Sequence, residues 1–143
     1  MRKKAADPVH SPHTRRMVNR WSGVTIDCVD PARMSHFWGR LLGLEPTHDH
    51  GDDAGWATLG SRFGPFPRLT FQRVPEPKST KARLHLDVEV HDIDTGRRHA
   101  ESLGGRWTGV RHDYNEGVVL NMLDPEGHEF CLVQYYETSG ARS

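Results

Sequence analysis

Three pairs of matching residues, each separated by 62 positions, indicate that this chain contains an internal duplication. Repeats of this length are single supersecondary units, and one such unit cannot bury its apolar face alone. Two copies in a chain of 143 residues are therefore expected to share one core. The matching pairs are Asp30 with Asp92, Gly43 with Gly105, and Gly55 with Gly117.

The first copy opens with a strand, VTIDCV, and continues into a capped amphipathic helix. Asp30 is a suitable N-cap, Pro31 fits the first helical position, and Gly43 is a typical C-terminal stop. Between them, apolar residues recur at helical spacing on one face. The pattern predicts a helix of about three turns that packs on a sheet. The apolar positions are Met34, Phe37, Trp38, Leu41 and Leu42.

The second copy repeats this order, with the strand LHLDVEV, the cap Asp92, a weaker helix and a stop at Gly105. Two or three further strand-like segments follow each helix. The expected fold class is α+β, in which tandem βαβββ modules form a cupped mixed sheet around a shared cleft and carry their helices on the outside. We predict a single domain over residues 21–136, with one half at 21–75 and the other at 83–136.

The segments outside this domain are polar. Residues 1–20 carry six Lys or Arg against one acid and are predicted to be a disordered basic arm, while 137–143 form a polar tail. The arm lacks the apolar stretch of a signal peptide, so a cytoplasmic location is expected. The formal net charge of zero argues against a nucleic-acid or membrane partner. The two cysteines, Cys28 and Cys131, are expected to be buried free thiols.

Strand alternation turns a set of polar side chains away from the helices. In the strand that opens the second half, His85, Asp87 and Glu89 alternate with leucine and valine. If the two sheets curl toward each other, the polar faces line one concave site, which is the usual location of a ligand. The predicted catalytic residues are His85 and Asp87, and the cleft candidates are Thr25, Asp27, Trp56, Thr70, Gln72, Glu89 and Cys131.

Several of these candidates have two interpretations. His85 with Asp87 is either an acid–base pair or a hydrogen-bonded part of the cleft wall. Asp27 and Glu89 occupy matching positions in the two halves and are either paired carboxylates or exposed groups at strand ends. Trp56 either stacks on a planar ligand or fills core space.

Two other histidines are expected to lie outside the site. His112 belongs to a stretch interpreted as solvated and polar, together with Asp113. His128 follows a turn glycine, and strand alternation directs it toward the helices.

The helix motif DPARMSHFWGRLLG, the strand RLHLDVEVHD and the closing segment DPEGHEFCLV resemble those of the vicinal oxygen chelate superfamily. This superfamily includes glyoxalase I, bleomycin-resistance proteins, fosfomycin-resistance enzymes and extradiol dioxygenases, and the chain is most similar to actinobacterial glyoxalase-like domains. The resemblance covers roughly residues 21–136. It implies the tandem βαβββ fold, a small-molecule ligand and a homodimer.

The metal-dependent members use His, Gln or Glu from the first and last strands of each half. These positions correspond here to Gly23, His85, Thr70 and Cys131, so His85 is the sole retained ligand position. One His and one Cys do not complete a set of three or four ligands. The resemblance therefore implies a degraded metal site, no cofactor, and a Cys131 that packs the cleft floor; a bound divalent metal is the alternative.

The leading hypothesis is a glyoxalase-like small-molecule-binding domain without a strong metal site. In one version it is a lyase or isomerase that uses His85 with Asp87 or Glu89 for proton transfer, and in the other it sequesters a ligand. The alternatives are a metal-dependent glyoxalase or dioxygenase-type enzyme that recruits an unexpected ligand such as Asp87 or Glu129, and an antibiotic-binding resistance protein. Zero net charge weakens the case for a cationic drug of the bleomycin type.

Overall fold

The two predicted halves are present as two four-stranded sheets, each with one helix. A computed structural model describes residues 19–48 and 55–137, so most of the predicted basic arm and polar tail lie outside the described residues. The order βαβββ occurs twice in the described part, which confirms the α+β fold class and the tandem modules. The elements are β1 (Gly23–Cys28), α1 (Pro31–Leu42), β2 (Pro46–His48), β3 (Trp56–Leu59), β4 (Arg68–Arg73), β5 (Leu86–Glu89), α2 (Ile93–Ser102), β6 (Arg106–Tyr114), β7 (Gly117–Leu123) and β8 (Glu129–Tyr135).

Helix α1 begins and ends where its capping residues predict. The Asp30 side chain accepts a hydrogen bond from the Arg33 amide at 3.2 Å, and Pro31 occupies the first turn. Gly43 closes the helix in the left-handed region with φ of 69°. A side chain is disfavoured there, which is why glycine is the usual stop.

Helix α2 ends earlier than the repeat predicts. Asp92 caps it by accepting from the Thr95 amide at 2.9 Å, but the last helical residue is Ser102. The left-handed turn falls on Gly104, with φ of 111°, rather than on Gly105. A Cβ at Gly105 would lie 3.1 Å from Cε1 of Phe37, so this glycine allows α1 to pack closely against the second half.

Each sheet has the same mixed topology. In the first sheet the order is β1-β4-β3-β2, with β1 parallel to β4, and in the second it is β5-β8-β7-β6, with β5 parallel to β8. The remaining neighbours pair antiparallel. The edge strand β2 has only three residues, which is too short for an alternation pattern to reveal.

One hydrophobic core runs through both halves. The predicted apolar faces of β4 and β8 are confirmed, because Leu69, Phe71, Phe130 and Leu132 are buried. In the predicted strand LHLDVEV, by contrast, β5 begins only at Leu86, and Leu84 is exposed. Phe130 also contacts α1 of the other half, with its ring 4.9 Å from that of Trp38 in an edge-on arrangement. The halves therefore depend on each other for burial of their largest side chains.

The 124–128 turn, DPEGH, joins the two halves through polar contacts. The Asp124 carboxylate is buried and accepts from Trp38 Nε1 at 3.0 Å. Glu126 accepts the backbone amides of Val29 and Asp30, each at 2.7 Å, just ahead of helix α1. These bonds satisfy donors at the start of a helix, where a carboxylate is also favoured by the helix dipole.

His128 completes this connection with both ring nitrogens. Nδ1 lies 2.9 Å from Asp124 Oδ2 and Nε2 lies 2.9 Å from the Asp27 carbonyl oxygen. Both partners are acceptors, an arrangement that favours the protonated ring, which can donate from both nitrogens. Burial favours the neutral form, but the hydrogen bond to Asp124 and its charge outweigh burial and raise the pKa of His128. The sequence predicted that this histidine points toward the helices, and the structure adds that it bonds residues of both halves.

Among the described residues, no helix combines the length and apolar character needed to cross a membrane.

Candidate functional site

A polar cavity of about 370 Å³ lies on the face of the second sheet that points away from α2. Its volume falls within the usual range of small-molecule sites. Strand alternation in β5, β7 and β8 brings Asp87, Asn121 and Cys131 to this face, and His85, the residue just before β5, lies there too. The alternate residues Val88, Leu120 and Leu132 enter the core. The full lining is His85, Asp87, His112, Tyr114, Glu116, Gly117, Val119, Asn121, Cys131, Val133 and Tyr135.

His85 and Asp87 are in direct contact. Nε2 of His85 lies 3.2 Å from Oδ1 of Asp87, since residues two apart on an extended chain share a face. Their side chains are 48% and 62% exposed, so a ligand in the cavity can reach them. A carboxylate bound to one ring nitrogen fixes the imidazole's orientation and leaves the other nitrogen available.

Cys131 lies next to this pair on β8, where it pairs in register with Asp87 of β5. Burial and the neighbouring Asp87 charge raise the pKa of the Cys131 thiol, while Lys81 opposes this effect. The protonated thiol donates to Asn121 Oδ1 at 3.6 Å. It is partly exposed, in contrast to the predicted full burial; Cys28 is buried as predicted, and burial followed by nearby carboxylates raises its pKa to about 12.

The same three side chains could hold a metal ion. The imidazole, carboxylate and thiol donor atoms of His85, Asp87 and Cys131 all lie within 4.8 Å of one another. A nitrogen, an oxygen and a sulfur donor suit zinc better than magnesium or manganese, and three ligands leave a fourth position open. The thiol would have to lose its proton on metal binding. Asp87 thus adds a third donor that was not among the positions implied by the family pattern.

The first-half candidates lie on the first sheet, outside the lining of the polar cavity. Thr25 pairs with Thr70, and Asp27 pairs with Gln72, which in turn pairs with Trp56. They form two cross-strand rows on the sheet face opposite the helix, as alternation predicts. None of them lines the polar cavity with His85, Asp87 and Cys131, although Thr25 lines a different cavity together with His85.

Two candidates lie at cavities between the halves. Thr25 lines a cavity of about 410 Å³ to which His85 also contributes, and Glu89 lines one of about 470 Å³ together with Asp87. Trp56 is 45% exposed and not part of the core. The cleft shared by both halves is therefore mainly apolar, while the polar cavity belongs to the second half.

Sequence reasoning missed several residues of the polar cavity, among them His112, Tyr114 and Asn121. His112 and Tyr114 lie on strand β6 and line it, whereas His112 was expected in a solvated stretch. Their rings stack with centroids 6.1 Å apart. Asn121 was detectable, because in GVVLNML it is the one polar residue on a strand whose other face is entirely apolar.

Comparison with known families decides the relationship. A model of the glyoxalase-like domain matches residues 23–133, which is most of the chain. The chain belongs to this family. Its fold is that of the vicinal oxygen chelate superfamily, as the sequence motifs implied.

Solved structures share the fold of this glyoxalase-like domain at low sequence identity. A glyoxalase/bleomycin resistance protein/dioxygenase family enzyme from Burkholderia phytofirmans PsJN has a TM-score of 0.68 at 15% identity, covering 82% of this chain and all of that one. A glyoxalase/bleomycin resistance protein/dioxygenase from Nocardioides has a TM-score of 0.62 at 16% identity, covering 92% of this chain and 94% of that one. The fosfomycin resistance protein FosX from Mesorhizobium loti has a TM-score of 0.63 at 14% identity, covering 84% of this chain and 95% of that one. No functionally curated protein matches this glyoxalase-like domain.

Proposed function

We propose that this domain binds a small molecule in the polar cavity and moves a proton on it with His85 and Asp87, as a metal-independent lyase or isomerase does. The observation that carries this proposal is the 3.2 Å contact between His85 Nε2 and Asp87 Oδ1 beside a cavity of ligand size. In this arrangement His85 exchanges the proton through its free nitrogen, and Asp87 orients the ring. Cys131 contributes a neutral thiol to the wall.

Energetics support a functional rather than a structural role for the pair. Exposed ion pairs contribute little to stability, and both side chains are about half exposed. The fold does not need this contact, in contrast to the buried contact of His128 with Asp124. Replacing His85 therefore tests chemistry without unfolding the protein.

Proton transfer can be measured directly by deuterium uptake. The purified protein is incubated in heavy water with a panel of small neutral ketones and amino ketones, and exchange at the carbon next to the carbonyl is followed by NMR. We expect the wild type to catalyse exchange and His85→Ala to abolish it while ligand binding persists. His91→Ala is the control, because His91 is exposed and lies outside the cavity lining, and it should leave exchange intact. Exchange that survives in His85→Ala would contradict the proposal, and binding without any conversion would favour a sequestering protein.

A metal-dependent enzyme is a second candidate, favoured by the cluster of His85, Asp87 and Cys131 donors within 4.8 Å. A zinc ion held there would act as a Lewis acid on the ligand. Mass spectrometry of protein purified without chelator or affinity metal separates the two candidates. If the wild type carries a stoichiometric ion and Cys131→Ser does not, the metal-dependent enzyme is favoured over the metal-independent one.

We further propose a homodimer and a cytoplasmic location, both on the basis of the family resemblance and the composition. Analytical ultracentrifugation tests the first, with a sedimenting mass close to 16.3 kDa as the contrary result. Cell fractionation tests the second.

A further inference from the structure

An apolar cavity of about 410 Å³ lies between β1 of the first half and β5 of the second. Two of its large apolar side chains are unusually open to solvent, since Trp21 is 69% exposed and Leu84 is 88% exposed. Exposed apolar groups clustered at a cavity mark binding surfaces rather than core. The apolar lining consists of Trp21, Val24, Ile26, Ala82, Leu84 and Leu86, beside Trp38.

Three residues of the lining with polar side-chain atoms, Glu129, His128 and Trp38, are already engaged within the protein. Glu129 accepts from Lys78 Nζ at 3.0 Å and from the Ala82 amide at 3.2 Å. His128 and the Trp38 indole nitrogen are bound to Asp124. Because these groups have partners, the cavity favours an occupant that buries apolar surface over one that needs several new hydrogen bonds.

His85 connects the apolar cavity to the polar one, because it lines both. The adjoining cavity of about 470 Å³ shares Trp21, Val24 and Leu86 with the apolar cavity and reaches Asp87. His85 and Asp87 therefore lie at the boundary between the apolar cavities and the polar cavity. A ligand bound at His85 can extend to either side.

The charges of the polar cavity restrict the polar end of such a ligand. Its lining carries the carboxylates of Asp87 and Glu116 and contains neither lysine nor arginine. A carboxylate on the ligand would meet these like charges, and the nearby Lys81, which lowers the pKa of Cys131, is not part of the lining. An amine or hydroxyl group is favoured instead.

We propose that the ligand is amphipathic, with an aromatic body in the apolar cavity against Trp21 and Leu84 and a neutral or cationic polar end at His85 and Asp87. This inference rests on the proposed function of the polar cavity and defines its substrate class. Aromatic rings of a ligand can stack on tryptophan, and the two adjoining apolar cavities are lined mainly by aliphatic side chains.

Three probes test this assignment by two-dimensional amide NMR titration: naphthylethylamine, ethylamine and naphthylacetate. We expect naphthylethylamine to bind at least about tenfold more tightly than either of the others, because its rings bury on the order of 150 Å² of apolar surface and its amine faces carboxylates. Amides of residues 24–26, 84–87 and 131 should shift together. Leu84→Ser should weaken naphthylethylamine by about fivefold, since the loss of one aliphatic contact costs this much.

Phe63→Ser is the matched control, because Phe63 is also strongly exposed, at 80%, and lies outside the cavity linings given above. It should leave all three affinities unchanged. Equal binding of naphthylethylamine and ethylamine would overturn the inference while leaving the polar cavity and its His85 chemistry intact. Conversely, binding that requires the naphthyl ring but shifts no amide signal at residues 85–87 would show that the two cavities bind different ligands. This result would also overturn the inference.

Ultracentrifugation of the same variants addresses a second copy of the chain as the occupant. If Leu84→Ser dissociates a dimer without changing probe affinity, this face is an interface and the inference fails. If the sedimenting mass is unchanged while probe affinity falls, the small-molecule assignment is supported.

Discussion

Replacement of Asp124 by Asn should destabilise the protein strongly, because this buried carboxylate joins the two halves. Its Oδ1 accepts the amides of Glu126 and His128, each at 2.9 Å. Its Oδ2 accepts from Trp38 Nε1 at 3.0 Å and from His128 Nδ1 at 2.9 Å. An asparagine can keep the first pair of bonds with its oxygen, but it then turns an NH₂ group toward the two ring donors.

The magnitude follows from these lost bonds. A buried Trp38 donor without an acceptor costs about 1–3 kcal/mol, and loss of the charge-assisted bond to His128 costs about 1.5–3 kcal/mol. We therefore expect Asp124→Asn to lower the free energy of unfolding by about 3–5 kcal/mol, as for other buried pairs that lose one partner. Asp113→Asn is the control, since Asp113 pairs with Arg111 at the surface and its loss should cost no more than about 0.5 kcal/mol.

Urea denaturation followed by circular dichroism measures both values, and its pH dependence tests the mechanism. The folded-state pKa of His128 is raised above the unfolded value. Its contribution is therefore complete below about pH 6.5, the unfolded value, and is lost as the pH rises through the folded one. The destabilisation by Asp124→Asn should shrink over the same range. A loss below about 1 kcal/mol at pH 6, or one that does not change with pH, would refute the reasoning.

Three further predictions concern other contacts of the fold and site. The raised pKa of His128 predicts that the melting temperature of the wild type falls as the pH rises above about 6.5, and His128→Gln should remove this fall; an unchanged pH profile in the variant would assign the fall to another group. Gly105→Ala should destabilise by about 1–3 kcal/mol, as its Cβ meets the Phe37 ring at 3.1 Å; wild-type stability in denaturation would show that α1 can shift. Asp87→Asn should speed iodoacetamide labelling of Cys131 near neutral pH by removing the charge that raises its pKa, and mass spectrometry showing equal rates would contradict this.

The sequence alone was enough to predict the features that depend on local chemistry. Asp30, Pro31 and Gly43 placed both ends of α1, because caps act within one turn of the helix. Alternation assigned Leu69, Phe71, Phe130 and Leu132 to the core, because a strand turns every second side chain to the same face. The contact of His85 with Asp87 follows from the same rule.

What the sequence could not show depends on residues far apart in the chain. The segment DPEGH has the form of a local turn, and nothing in it reveals that its partners are Asp27, Val29, Asp30 and Trp38. The division between a polar cavity in one half and an apolar cleft between halves also depends on how the sheets meet. The repeat predicted two equivalent halves, so it could not predict that only the second half carries the polar cavity.

The 124–128 turn has a consequence for the order in which the chain acquires its structure. The indole of Trp38 and the amides just ahead of α1 find their partners in residues made about ninety positions later. A growing chain leaves the ribosome from its N-terminus, so the first half is synthesised well before it can be finished. We therefore expect its helix to stay partly exposed until the last strand has been made, and the two halves to reach their native structure together, at a time set by synthesis of the second copy.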